Sequence, residues 1–363
     1  MHSPPWFIVM RKLIGKCIFP CVIIGGIWAE ISLYFLVQNC FGNVTTWVLT
    51  LLPLFPFAVY GMARKLSPGS LRRWCNLIGG SLLSADCYLM IYTAIMGVLL
   101  LCGISLRYAP ILLAIDLLLT LLSVLLGILG SLRLKVKHYT VKLKGSKNCK
   151  IVFFSDLHLG DFCSLRHVKK VANTIIAQNA DLVLYGGDLI DVDMPKGKKK
   201  KAYASVLSRI GGIVGCEGNH DLHDLDAPER NAFLEKSKIR ILCDESFTDT
   251  KTGLCITGRK SKKRARMAAA SLPSEQKQIL LEHDPKTAIE ALNADYPLVL
   301  CGHTHKGQTF PGNILRRFGT RYFYGKFDTE KGTVLTTSGC GATGLPLRLF
   351  VSSEITVISI ISD

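Results

Sequence analysis

Hydrophobic and polar positions follow two different regimes along this chain. Up to about residue 132 the apolar positions run together in four stretches, Cys17 to Val37, Trp47 to Met62, Leu77 to Leu101 and Pro110 to Leu132. A helix needs about 20 apolar residues to cross a bilayer, with 17 to 25 usual. The four stretches therefore predict four membrane helices, the second having ill-defined ends because Pro53 and Pro56 break it. A cleaved leader would account for one stretch and not four. From Arg133 to Lys150 the period falls to two (RLKVKHYTVKLKGSKNCK), which predicts a first strand with Val136, Tyr139, Val141 and Leu143 facing inward. Beyond it, short apolar runs at Ile151 to Ser155, Leu182 to Tyr185, Ile213 to Cys216, Ile279 to Leu281 and Leu298 to Cys301 read as buried strands. Helical segments alternate with them, such as Ser164 to Asn179, Ala227 to Lys238 and Lys286 to Asn293. This is α/β patterning. The tail after Thr333 is strand-like, with tight turns at Gly339, Gly341 and Gly344. Residues 1–133 are thus expected to form a membrane region and residues 134–363 a separate α/β domain. Arg266 to Gln278 is ambiguous, with Pro273 interrupting a helix-favouring run, and is read as a lid or a membrane-facing element.

Charge orients the predicted spans. Arg11, Lys12 and Lys16 precede the first; Arg64, Lys65, Arg72 and Arg73 lie between the second and third; Arg133, Lys135, Lys137, Lys142 and Lys144 follow the fourth. The connection around Asn39 to Thr46 has no charge and the one near Ser105 only Arg107. Under the positive-inside rule the α/β domain then faces the cytoplasm. The 13 cysteines are scattered without paired spacing or a Cys-x-x-Cys, which reads as reduced thiols and excludes zinc-finger frameworks. Of the net charge of +17, the chain from Lys135 on carries +11, and two runs contribute most to it, Lys196 to Lys201 and Arg259 to Arg266. Both are read as solvated loops, or as segments lying on anionic headgroups. The runs lack interleaved aromatic residues, which argues against a nucleic-acid partner.

Five short motifs carry the chemistry: Asp156-Leu157-His158, Gly187-Asp188, Gly218-Asn219-His220-Asp221, a lone His283, and Gly302-His303-Thr304-His305. Each ends or follows one of the predicted strands, so the side chains fall on loops at strand ends, where α/β folds gather catalytic groups. Imidazoles and carboxylates suit Mn, Fe, Zn or Co better than Ca or Mg. A carboxylate held between two such cations can bridge them, and a pair about 3.5 to 4 Å apart clamps both the attacking and the leaving oxygen of a phosphoryl displacement.

In this order the motifs resemble those of the calcineurin-like metallophosphoesterases, D-x-H, G-D, G-N-H-D/E, H and G-H-x-H. The resemblance covers roughly residues 146 to 363 and is closest to the membrane-anchored bacterial branch. Gly302 to Phe310 (GHTHKGQTF) and Gly344 to Val357 (GLPLRLFVSSEITV) are similar to two further segments of that branch. It implies an α-β-β-α sandwich of two sheets flanked by helices and two divalent metal ions, most readily Mn, with Fe, Zn or Co as alternatives. By resemblance Asp156, His158 and His305 hold the first metal, Asn219, His283 and His303 the second, and Asp188 bridges them. Asn219 and His220 contact the substrate phosphate. His220 protonates the leaving group, and Asp221 is read as the acceptor that fixes its imidazole. Lys306 stands where the branch has glycine and is read as a contact for an anionic substrate.

The expected function is therefore a membrane-embedded, metal-dependent phosphoesterase that hydrolyses a phosphate ester or pyrophosphate bond of an amphipathic, lipid-linked substrate. An alternative within that class is the UDP-2,3-diacylglucosamine pyrophosphatase of lipid A synthesis. The alternative outside it is a transporter or scaffold with a degenerate hydrolase domain. Glu30, Asp86 and Asp116 fall inside predicted spans, where ionisable groups are costly, and are read as hydrogen-bonded between helices or as a substrate or ion site. His167 and His223 are read as lying outside the site, Asp161 as a helix cap or a supporting acceptor, and Asp191 and Asp193 as strand ends. The oligomeric state is open.

Overall fold

A computed structural model describes residues 24–42, 54–63, 65–66, 69–191, 197–221, 227–273, 276 and 278–362. The chain divides into two compact units, Met1–Leu129 with Gly344–Phe350, and Gly130–Thr343 with Val351–Asp363. Gly344–Phe350, read from sequence as part of the closing strand, groups with the first unit. There Arg348 donates its backbone N–H to the Gly127 carbonyl at 2.9 Å, and Tyr60 donates its hydroxyl to the Gly344 carbonyl at 2.6 Å.

The first unit is helical: α1 (residues 24–41), α2 (Leu54–Ala63), α3 (Ser70–Leu101) and α4 (Ala109–Leu132). Among the described residues, Ser70–Leu101 and Leu106–Leu132 are long and apolar enough to cross a membrane, by length and composition. The first two expected spans fall partly outside the described residues. Burial in this unit is inverted relative to a soluble bundle. Asp116, Thr93, Ser84 and Asp86 are buried, whereas Leu71, Ile78, Leu118, Leu121 and Leu129 are exposed. Thr93 donates to Asp116 Oδ2 at 2.5 Å, which for Asp116 matches one of the two readings, a hydrogen bond between helices.

The second unit contains two six-stranded sheets. The first runs β1 (Leu134–Leu143), β12 (Ser353–Ser362), β2 (Cys149–Phe154), β3 (Leu182–Tyr185), β4 (Ile213–Cys216) and β5 (Ile239–Leu242). The second runs β10 (Gly325–Thr329), β11 (Gly332–Thr336), β9 (Leu298–Cys301), β8 (Ile279–Leu281), β7 (Cys255–Gly258) and β6 (Glu245–Thr248). In the first, β2 to β5 are parallel, and in the second β7, β8, β9 and β11 are parallel.

Side-chain alternation builds the layers. Ile151 and Phe153 point into a core shared with Ile256, Ile279, Leu281, Leu298 and Leu300 of the other sheet. Val152 and Phe154 point the opposite way, onto Val168, Val171 and Ile175 of α5 (Leu165–Ile176) and Leu207 of α6 (Lys198–Ser208). Leu280 and Val299 pack outward on Ala288, Ala291 and Leu292 of α8 (Ala288–Asn293), which follows α7 (Ala227–Lys236) in sequence. The order is therefore α-β-β-α, and each fully buried Leu, Ile or Phe contributes about 1.5 to 3 kcal/mol. Strict alternation also corrects one expectation for β1: Tyr139, Val141 and Leu143 face the inter-sheet core, but Val136 packs on the helix side.

The basic runs are not the loose loops expected of them. Lys198 to Lys201 form the first turn of α6, where Lys200 pairs with Glu229 at 2.9 Å. In the second run Arg259 is buried at 2 % exposure and holds Glu282 and Glu290 at 2.9 Å each. Arg264 holds Glu217 at 2.7 Å and Arg266 holds Glu282 at 3.1 Å, while Lys262 pairs with Asp284. The run thus neutralises buried carboxylates. Removing one partner of such a buried pair strands the other charge, so Arg259→Ala should destabilise this unit by roughly 3 to 5 kcal/mol in urea unfolding. A loss under about 1 kcal/mol, the range of surface pairs, would return the run to the surface.

Candidate metal centre

All five motifs sit at the carboxyl ends of parallel strands: Asp156 and His158 after β2, Asp188 after β3, Asn219 and His220 after β4, His283 after β8, and His303 and His305 after β9. The loops are pinned to one another: the Asp156 amide donates to Gly187 O at 2.9 Å, the His158 amide to Asp188 O at 3.1 Å, and the Gly302 amide to His283 O at 3.1 Å. Five of these residues have left-handed backbone, with φ of 55° at Asp156, 48° at His158, 59° at Asp188, 70° at His303 and 49° at His305. Such a conformation costs a residue with a β-carbon about 1 to 2 kcal/mol and persists only where the surroundings impose it. Gly218 and Gly302 make the approach possible. A β-carbon at Gly302 would come 2.5 Å from Asp156 Oδ2, and one at Gly218 would overlap the Asp188 carboxylate.

Three donors gather on one side, Asp156, His158 and His305, and three on the other, Asp188, His283 and His303. In the first cluster His305 Nε2 lies 3.3 Å from Asp156 Oδ1 and 3.1 Å from His158 Nε2. In the second, His283 Nε2 lies 3.1 Å from Asp188 Oδ2 and 3.3 Å from His303 Nδ1. Asp188 Oδ2 is also 3.8 Å from His158 Nε2, so this one carboxylate faces both clusters. The Gly186 carbonyl, 2.7 Å from His283 Nδ1, fixes that ring so that Nε2 is presented. Asn219 Oδ1 is buried with no hydrogen-bond partner, an orphaned acceptor of the kind a cation would satisfy. Donor type, grouping and this orphan fit two divalent ions.

Electrostatics agree. Burial alone would lower the His283 pKa, but the Asp188 carboxylate outweighs it and raises it to about 10. Burial likewise opposes ionisation of Asp188, yet His283, then His158 and His220, hold that carboxyl below its usual range. Burial and then the His283 charge bring His303 down to about 4. With its pKa raised by Asp188, His283 holds a proton through the neutral range that a cation must displace. Manganese affinity should rise close to tenfold per pH unit between pH 6 and 8, measured against a chelator on metal-free protein. A flat profile would remove His283 from the ligands.

His220 stands beside the first cluster, its ring 4.8 Å from that of His158 and perpendicular to it. Its acceptor is not the one expected. Asp221 is buried and spends its carboxylate on the backbone N–H groups of Gly218 at 2.8 Å, Asp188 at 2.9 Å and Ile190 at 3.0 Å. Asp191 instead places Oδ1 3.0 Å from His220 Nδ1 and 3.8 Å from His158 Nδ1. Asp191 was read as a strand end; its place three residues after Asp188 was the available signal. Ser164, not Asp161, caps α5 by accepting from the His167 amide, and His167 Nε2 meets the Cys340 carbonyl at 2.6 Å. His223 and Asp193 lie outside the described residues. Lys306 places its ammonium 4.3 Å from the centre of the Tyr324 ring; burial, and then the Lys137 charge, lower its pKa.

Residues 149–307 match the family described as calcineurin-like phosphoesterase. The domain belongs to that family. An uncharacterized metallophosphoesterase of Helicobacter pylori is 31% identical over 64% of this chain and 65% of its own length. A transmembrane protein with metallophosphoesterase domain from Danio rerio is 30% identical over 60% of this chain and 54% of its own. The chain thus matches between about half and just under two thirds of the length of these relatives. Among solved structures, a protein of Thermus thermophilus gives a TM-score of 0.36 at 14% identity, over 52% of this chain and 89% of that one. With its ligand clusters, this domain is of the metal-dependent phosphoesterase type.

Proposed function

We propose that the protein is a membrane-embedded phosphoesterase that hydrolyses a phosphate ester or pyrophosphate bond of a lipid-linked substrate on the cytoplasmic side. The observation that carries the reading is the placement of Asp188 Oδ2 between two ligand clusters, 3.1 Å from His283 Nε2 and 3.8 Å from His158 Nε2. Two divalent cations held there, with Mn first among Mn, Fe, Zn and Co for this donor set, supply Lewis acidity that makes water nucleophilic near neutral pH and neutralises phosphoryl charge. Asp156, His158 and His305 would hold one, and Asn219, His283 and His303 the other. His220, with Asp191 engaging Nδ1, is the group placed to give a proton from Nε2 to the departing oxygen.

Three features support the membrane half of the proposal. Two described helices have spanning length and hydropathy. The helical unit buries carboxyls and hydroxyls and exposes leucine, as hydrocarbon solvent demands. Transmembrane proteins with a metallophosphoesterase domain are among the relatives. The basic loops flanking the spans favour the cytoplasmic side. A screen of purified protein with added Mn in mixed micelles tests the reading. Lipid-linked phosphates should be cleaved much faster than their deacylated analogues. Equal rates would remove the lipid; no cleavage of any phosphate ester or pyrophosphate would remove the activity.

A further inference from the structure

The second unit treats its cations in two ways. Arg259, Lys260, Lys262, Arg264 and Arg266 are all paired with carboxylates. What sets Lys306 and Lys137 apart is that their ammonium groups both rest against a single ring, that of Tyr324, at 4.3 Å and 5.9 Å from its centre. The two positive charges are therefore no further apart than about one Debye length at 0.1 M salt, and repel each other until an anion comes between them. The ring is held firmly. Tyr324 donates its hydroxyl to Glu354 Oε2 at 2.6 Å, and Glu354 is 3 % exposed and also accepts from Thr337 at 3.2 Å and Thr356 at 3.3 Å. Its carboxylate is engaged by these three hydroxyls and also acts on the Lys306 charge.

Two links tie this pair of lysines to the metal centre. Lys306 directly follows the ligand His305. The Glu354 amide donates to the Gly339 carbonyl at 2.9 Å, and Gly339 lies against Asp156, where a β-carbon would come 2.8 Å from that of Asp156. We propose that Lys306 and Lys137, seated on Tyr324, form an anion subsite at the rim of the metal centre that takes a second phosphate group of the substrate. This rests on the phosphoesterase reading and narrows it: the preferred substrates carry two phosphoryl groups, one at the metals and one on the lysines. A neighbouring anionic lipid presents the same chemistry, so the test must separate the two sources.

The probes are 1,3-propanediol bisphosphate and propyl phosphate, titrated calorimetrically into full-length, Mn-loaded protein in neutral detergent. The wild type should bind the bisphosphate at least about tenfold more tightly, the effect of one charge-assisted hydrogen bond. Lys306→Ala and Lys137→Ala should each shrink that ratio and their combination should erase it. Lys306→Arg should keep it, metal content should hold at the wild-type value throughout, and the ratio should fall with salt. No preference in the wild type, or a preference that survives the double variant, overturns the subsite. So does an effect of the variants seen only on activity in micelles containing phosphatidic acid, which would assign the lysines to a lipid headgroup. Calorimetry needs no turnover. A protein that prefers the bisphosphate but hydrolyses nothing loses the phosphoesterase reading and keeps the subsite, and an active protein without the preference loses the subsite alone.

Discussion

Asp188→Ala should leave the protein folded, deprived of metal and inactive. The Asp188 carboxylate is the one group facing both ligand clusters, and it is held ionised by His283 and His158 despite burial. Without it, cations on the two sides repel with nothing between them. Loss of a group that merely supports a ligand costs about 10- to 100-fold in affinity or activity, and the bridge should cost more. The same carboxylate accepts from the His220 amide at 2.7 Å, so alanine also frees the loop that carries His220. Asp188→Asn separates these roles, because it keeps an acceptor for the amide and removes the charge. Activity should be lost in both variants, with metal content measured by plasma emission. Near-normal turnover in either one would end the two-metal account.

His220→Ala should keep its metals and lose turnover by roughly 10²- to 10⁴-fold, the usual contribution of a positioned general acid. The loss should be steepest for substrates with poor leaving groups, which need the proton most. Asp191→Asn should give a smaller loss of the same leaving-group dependence, since the imidazole remains but the acceptor 3.0 Å from Nδ1 is weakened. Asp221→Asn has a different expected signature. Its carboxylate organises the backbone of the Asp188 and Asn219 loops, so metal content should fall along with turnover. A His220→Ala protein that loses metal as Asp188→Ala does would make His220 a ligand.

That Asp156, His158, Asp188, His283, His303 and His305 come together was legible because each sits in a short motif at the end of an apolar run, and parallel strands deliver such ends to one edge. The sandwich was legible only through resemblance: alternation within Ile151 to Phe154 says that both faces are covered, not that one face meets a second sheet. Three features were hidden for physical reasons. Asp191 and Asp221 are both acids near His220 in the chain, and only the loop conformation decides which carboxylate reaches the ring. The run Arg259 to Arg266 looks like a solvated charge cluster because its partners, Glu217, Asp244, Glu282, Asp284 and Glu290, are dispersed in sequence. Gly344 to Phe350 reads as a continuation of a strand, and nothing local marks its place with the helical unit.

The central claim is that two cations share Asp188 and that hydrolysis needs both. Stepwise addition of manganese to metal-free protein, with release of p-nitrophenol from bis(p-nitrophenyl) phosphate followed at each step, tests it most directly. The account predicts negligible activity without metal, saturation at two equivalents per chain, and most of the rise with the second. Full activity in chelator, or saturation at one equivalent with no further change, would contradict it.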